Sequence, residues 1–150
     1  MLSEFESFYD MDMLKLGNLF AFVYQKTQVS VYAFIEKFMN STIREKMEVW
    51  HPWFSNEDSG MLWHHLITLE FKETDFGSRR DDEVFYPNQL KWIGEMYGYL
   101  HYFTGLSSKE LYKQFPLDQM LIMYIPGHEM VYETFALRLE REGVITEWEY

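Results

Sequence analysis

The sequence predicts an all-α fold, and three observations carry that expectation. Apolar residues recur three and four positions apart along most of the chain. Residues that favour helix N-caps stand just ahead of these runs. Few stretches alternate with period two, the pattern of a half-buried strand.

In chain order, Leu14, Leu16, Leu19, Phe20, Val23 and Tyr24 mark one face of a first helix. Ser30 caps a second, which carries Val31, Phe34, Ile35 and Phe38. Thr42 and Glu45 have the spacing of a capping box for a short helix. His51-Pro52-Trp53 breaks the pattern, and Ser59 caps a helix over 61–71. Residues 73–86, with Gly77, Arg79, Arg80, Asp81, Asp82 and Glu83, are polar and read as a linker on a solvated face. Pro87 suits the first turn of a helix reaching Thr104, because the N–H that proline lacks has no partner there. Gly105 then suits a left-handed C-terminal cap. Ser107 and Glu110 form a capping box for 109–115, Pro116 ends that helix, and Asp118 caps 119–125. Pro126-Gly127 reads as a turn. A last helix over 129–142 stops at Gly143, and Val144 to Tyr150 reads as a short strand or extended segment.

A shift of 77 residues lays the chain over itself. Gly17 meets Gly94, Thr27 meets Thr104, Ser30 meets Ser107, Phe38 meets Phe115 and His51 meets His128. Apolar positions agree between them, among them Leu16 with Ile93, Phe20 with Tyr97, Val23 with Leu100 and Ile43 with Met120. The expected organisation is two similar units of three to four helices, 1–72 and 87–150, joined by linker 73–86 and packed as one compact body. Breaks and caps fall in register as well as apolar residues, which a chance match of two amphipathic stretches would not require.

The chain carries 24 Asp and Glu against 13 Lys and Arg, for a formal charge of −11. Residues 1–75 hold 12 acids and 6 bases, and 76–150 hold 12 and 7, so the acidity is not stored in a tail. Such a surface argues against binding nucleic acid directly, which needs clustered cations, and suits a basic partner. No cysteine is present, so disulfides, thiolate metal sites and cysteine nucleophiles are excluded. The first residues are acidic where a secretory signal would be basic, and no run approaches the roughly 20 apolar residues that cross a bilayer. A cytoplasmic protein with no membrane association is expected.

Sites of chemistry are sparse. The five histidines do not take metal-ligand spacing, since His128-Glu129 with Glu133 falls short of the His-Glu-x-x-His pattern. No metal and no cofactor are expected. His51 and His128 instead read as structural, pinning a turn through backbone hydrogen bonds, alongside Ser107 and Gly105. No phosphate loop or nucleophile elbow is present, and carboxylates alone do not make an acid–base pair without a cleft to shift them. Residues 104–125 have the outline of a helix-turn-helix, but the segment that would read bases, 118–125, is nearly all apolar and reads as core.

The second half carries Trp92-Ile93-Gly94, Tyr97, Tyr99, Tyr102, Thr104-Gly105, Ser107-Ser108-Lys109, Tyr112-Lys113, Tyr124 and His128. This pattern resembles a bacterial group of small helical proteins that look like antitoxins or defence-associated accessory proteins. There, an aromatic helix precedes a short Ser-Ser-Lys helix, then a Tyr and a His. The first half resembles the group more loosely, through Phe38-Met39-Asn40-Ser41 and Pro52-Trp53-Phe54. The chain departs from the group's His-Thr ending with His128-Glu129. The resemblance implies a helical binding protein and supplies no catalytic residue.

The expected function is therefore a non-enzymatic, acidic protein-binding module that neutralises or regulates another protein, antitoxin- or inhibitor-like. Its partner would be a toxin or nuclease with a basic surface. Trp50, Trp53, Phe54, Glu57, Asp58, Glu133, Glu147 and Trp148 are the candidate contacts, because they join aromatic anchors to acidic neighbours. The alternatives are a phage-encoded nuclease inhibitor whose carboxylates mimic phosphates, a homodimer closed by the aromatics, and a metal enzyme built on the histidines.

Overall fold

The computed structural model describes residues 4–49, 58–86 and 88–145, with side chains from Asp10 onward in the first segment. Among these residues the chain is all-helical and compact, with no strand. The helices are α1 (Glu4–Lys26), α2 (Val31–Met39), α3 (Thr42–Glu48), α4 (Ser59–His65), α5 (Gln89–Thr104), α6 (Ser108–Gln114), α7 (Leu117–Gly127) and α8 (Tyr132–Arg141). A π-helical turn, Leu66–Glu70, prolongs α4. The break at 51–53, Pro87 and the tail beyond Ile145 lie outside the described residues.

Helices α1 and α5 form the centre of the body. They run antiparallel, with Met13 beside Gly98 and Gly17 beside Lys91 and Glu95. A β-carbon on Gly94 would stand 2.5 Å from the Leu16 carbonyl oxygen, and one on Gly17 would stand 2.7 Å from that of Lys91. Only hydrogen fits between the two backbones at this crossing. On either side, Leu16, Leu19, Phe20 and Val23 of α1 and Ile93, Met96, Tyr97 and Leu100 of α5 are wholly buried. Phe34, Ile35 and Phe38 of α2 join this core together with Leu111 and Phe115, whose helix packs against α2. Phe20 meets Phe34 and Phe38 edge to face, at 6.4 and 5.9 Å between ring centres.

Short polar side chains set the helix starts. Ser30 accepts from the Ala33 N–H at 3.3 Å and Ser107 from Glu110 N–H at 3.2 Å, each capping the expected helix. Gly105 takes φ 75° and closes α5 through its N–H to the His101 carbonyl at 3.0 Å. Thr27 and Thr104 each donate to the carbonyl four residues back, Val23 and Leu100, at 2.7 Å.

Other boundaries differ from expectation. The cap of α3 is Ser41, not Thr42, and that of α4 is Asp58, not Ser59. In both places two residues able to cap adjoin in sequence, so the spacing alone leaves the start open by one position. Helix α1 starts well before Leu14. Helix α7 begins at Leu117, so Asp118 lies inside its first turn and does not cap it. It also runs through Pro126 to Gly127 where a turn was expected. Pro126 deprives only the carbonyl of Ile122, an exposed residue that water reaches. Asn88, at φ 66°, precedes α5, which starts at Gln89. The last helix starts at Tyr132 rather than Glu129.

Two polar clusters tie distant segments together, the first joining the two halves and the second docking residues 79–83 on the first half. Arg44 is fully buried and donates through both terminal nitrogens to Asp12, at 2.9 Å each, and through Nε to Ser108 Oγ at 2.9 Å. Glu48 accepts from the Ser108 N–H at 2.7 Å, and His101 Nδ1 stands 4.0 Å from Glu48. Helices α1, α3, α5 and α6 thus meet at one guanidinium. Burial works against the Arg44 charge, but the Asp12 carboxylate outweighs it and the group is held protonated more firmly than usual.

The second cluster changes the meaning of residues 73–86. Glu83, expected on a solvated face, is buried. Its carboxylate accepts from the Tyr32 N–H at 3.0 Å, the Ser30 hydroxyl at 3.2 Å and the Arg80 N–H at 2.7 Å. It therefore sits on the positive end of α2, and these donors lower its pKa although burial alone would raise it. Arg79 donates to the carbonyls of Val23, Tyr24, Thr27 and Val29, at 3.0 to 3.2 Å. The segment is consequently docked across the α1–α2 junction, where Val29 and Ser78 form an isolated antiparallel bridge.

Candidate functional site

Helix α7 is apolar around most of its circumference. Leu117, Met120, Tyr124 and Gly127 face the core. The opposite face follows the same three- and four-residue spacing: Asp118, Ile122 and Ile125 look outward, and Leu121 is half-buried at its edge against the core. Ile122 is 74% exposed and Ile125 58%. The expectation that 118–125 is core therefore holds for one face only. A helix apolar on both faces needs cover on both, and the fold covers one.

The docked segment runs alongside. Val84 is 76% exposed and Tyr86 63%, and the Tyr86 ring stacks on Tyr124 at 6.3 Å. Between this segment and α7 lies a groove of about 410 Å³, walled by Tyr32, Val84, Phe85, Tyr86 and Leu121. Phe85 is fixed from behind by Tyr24, edge to face at 5.1 Å, and its N–H donates to the Tyr24 hydroxyl at 3.3 Å. The groove's shape thus depends on the burial of Glu83 and on the Arg79 clamp.

Its rim is acidic. Asp82 lines it, and Asp118 approaches from the first turn of α7. Burial raises the Tyr32 pKa first, and the charges of Asp118 and Asp82 raise it further. Both carboxylates therefore act on the same ring. Arg80 lies over that ring at 4.5 Å and pairs with Asp82 at 3.3 Å and Glu83 at 3.5 Å. Arg80 thus stands between the exposed Asp82 and the buried Glu83.

A larger cleft of about 610 Å³ adjoins on the other side of Phe85 and Tyr86, bounded by Phe22, Tyr24 and Lys91. The two hollows share the Phe85–Tyr86 wall. Among the described residues no cluster of three or more His, Asp or Glu could hold a metal ion, and no helix is long and apolar enough to cross a membrane.

Of the contacts expected from sequence, Trp50, Trp53, Phe54, Glu57, Glu147 and Trp148 lie outside the described residues, as does His51. Asp58 is exposed but spends its carboxylate on the Met61 N–H at 2.9 Å, capping α4. Glu133 is exposed in the first turn of α8. It does not line the groove. His128 Nδ1 donates to the Tyr124 carbonyl at 2.7 Å, and the ring stacks on Tyr124 at 4.4 Å. The groove residues Val84, Tyr86 and Leu121, and the exposed Ile122 and Ile125 on the same helix as Leu121, were missed. The signal that could have found them was the excess of apolar residues in 117–125 over what one helix face can bury.

No protein-family model, no curated protein sequence and no solved structure matches this chain.

Proposed function

We propose that this chain is an acidic, non-enzymatic protein-binding module of the cytoplasm, antitoxin- or inhibitor-like, that regulates a basic partner protein. The observation that carries the reading is the groove walled by Tyr32, Val84, Phe85, Tyr86 and Leu121, with Asp82 in its lining and with Val84, Tyr86, Ile122 and Ile125 exposed on the two elements that form it. Exposed apolar side chains gathered around a groove mark interaction sites more often than ones scattered singly over a surface. Oppositely charged surroundings would speed encounter, and the aromatic walls would slow release.

The test is affinity purification from the protein's native cells with the unaltered chain and with a Val84→Asp, Ile122→Asp variant. The unaltered chain should retain one basic protein in near-stoichiometric amount, and the variant should lose it. Recovery of nothing but the bait at both low and high salt would refute the reading.

The same proposal includes a body built from two repeated helical units. Several equivalences 77 residues apart support this. Gly17 and Gly94 both lie at the α1–α5 crossing. Thr27 and Thr104 each bond back to the preceding turn, and each accepts from the N–H two residues on, Val29 at 3.4 Å and Leu106 at 3.1 Å. Ser30 and Ser107 cap in the same way, and Phe38 and Phe115 are both wholly buried. The units differ where Gly105 caps α5, since at α1 the Arg79 guanidinium satisfies the last carbonyls instead.

A further inference from the structure

The groove has features that select among proteins. Its walls are aromatic and aliphatic, from Tyr32, Val84, Phe85 and Leu121, and would accept an apolar side chain. Asp82 lines the groove and Asp118 stands one helical turn before Leu121 on α7, so a cation reaching past the apolar anchor would find carboxylates close by. The cation already present, Arg80, is half-exposed; its pair with Asp82 lies at the surface and is worth little, and its contact with the buried Glu83 is long, at 3.5 Å. It can swing away from the Tyr32 ring when another cation arrives.

We propose that the groove between α7 and residues 82–86 receives a cationic amphipathic segment of the partner protein. Its apolar residues would seat on Tyr32, Phe85 and Leu121, and its Lys or Arg would pair with Asp82 and Asp118. This rests on the binding-module reading and names the chemistry of the partner. Charge complementarity chooses the occupant. A second copy of this chain would bring its own −11 and the same two carboxylates to the contact, which opposes pairing. A lysine-bearing segment meets the acid rim and covers the apolar face of α7 at once.

The probe is a fluorescently labelled peptide of leucine and lysine, about 14 residues long so that it can hold a helix once bound. Anisotropy titration of the whole protein should give saturable one-to-one binding, weakening as salt rises. Changing Asp82→Asn with Asp118→Asn should weaken binding about tenfold at low salt, and Leu121→Asp should abolish it. A charge-matched control, Asp10→Asn with Glu45→Gln, should bind as the unaltered chain does. Asp10 precedes Tyr24 on α1 by about 20 Å of helix, so it lies far from the groove. The same peptide with glutamate for lysine should not bind.

Equal weakening by the control pair would show general attraction to an acidic chain and overturn the proposal. So would binding that ignores all three groove substitutions. In either case a partner recovered from native cells would leave the module reading standing. A dimer in sedimentation velocity that Leu121→Asp dissolves would assign the groove to a second copy and also overturn the proposal. The substituted positions are half-buried or exposed, and an unchanged thermal midpoint confirms that each variant is folded.

Discussion

Replacing Gly94 by alanine sets two physical effects against each other. Within a helix, alanine is favoured over glycine by about 1 kcal/mol, so local propensity predicts a gain. Packing predicts the reverse. The added carbon would stand 2.5 Å from the Leu16 carbonyl oxygen and 2.6 Å from the Gly17 nitrogen, and both are backbone atoms that cannot rotate aside. Helices α1 and α5 must separate, which loosens the seam between Leu16, Phe20, Ile93 and Tyr97. Overpacking a closed core costs about 1–3 kcal/mol, and backbone contact places this case at the upper end. The expected net loss is about 2 kcal/mol, or roughly 4–8 °C in midpoint for a chain of this length. Gly60→Ala serves as the control. Its nearest neighbour beyond the adjoining residues would be Asp58 Oδ1 at 3.6 Å, so propensity should win and stability should hold or rise. Gly17→Ala meets the Lys91 carbonyl at 2.7 Å across the same gap. Once either alanine has parted the helices, the second should cost less than it does alone. Urea titrations followed by far-UV circular dichroism measure the three single variants and the Gly17→Ala, Gly94→Ala double variant against the unaltered chain. A Gly94→Ala protein as stable as the unaltered one would refute the backbone contact at this crossing.

Further outcomes follow from the buried polar groups. Asp12→Ala should cost about 3–5 kcal/mol by stranding the Arg44 charge, whereas Asp12→Leu with Arg44→Met should cost much less; equal losses in urea titration would contradict the pairing. Glu83→Gln should destabilise by about 2 kcal/mol at neutral pH, because it replaces a charged acceptor at the start of α2. Because its pKa is lowered on folding, the Glu83 carboxylate stabilises fully above the ordinary value of 4.5 and progressively less as pH falls below it. The gap between Glu83→Gln and the unaltered chain should therefore close in acid, and a gap independent of pH would argue against an ionised buried group. His101 is driven toward its neutral form by burial, then by Arg44, against the pull of Glu48. The unfolded chain binds that proton more readily, so stability should fall as pH drops from 6.5, and His101→Gln should flatten that slope in thermal melts.

The helices and several of their ends were legible in the residues themselves. Ser30, Ser107 and Gly105 act on backbone groups within a few positions, so their roles can be read from neighbours in sequence. The apolar faces of α1, α2 and α5 followed from spacing for the same reason. Adjacent capping residues, Ser41 with Thr42 and Asp58 with Ser59, left the start ambiguous by one position. Most of the candidate contacts, chosen for aromatic residues beside acids, lie outside the described residues. The groove joins Tyr32, Phe85 and Tyr86 to Leu121 of a helix that reads as core, a meeting of distant segments that no local pattern shows.

What the chain determined by itself was local: which segments are helical, where several of them start and stop, and that its acidity is spread over both halves. What only tertiary structure decided was the fate of groups whose partners lie far along the chain. Arg44 is buried because Asp12 and Ser108 arrive from 32 positions before and 64 after it. Glu83 is buried because the open end of α2, more than 50 residues earlier, offers it donors. The outer face of α7 is exposed because no other described element packs over it. Periodicity can say that a helix has an apolar side, but burial is a relation between elements, and desolvation is offset only once both members of the relation are in place.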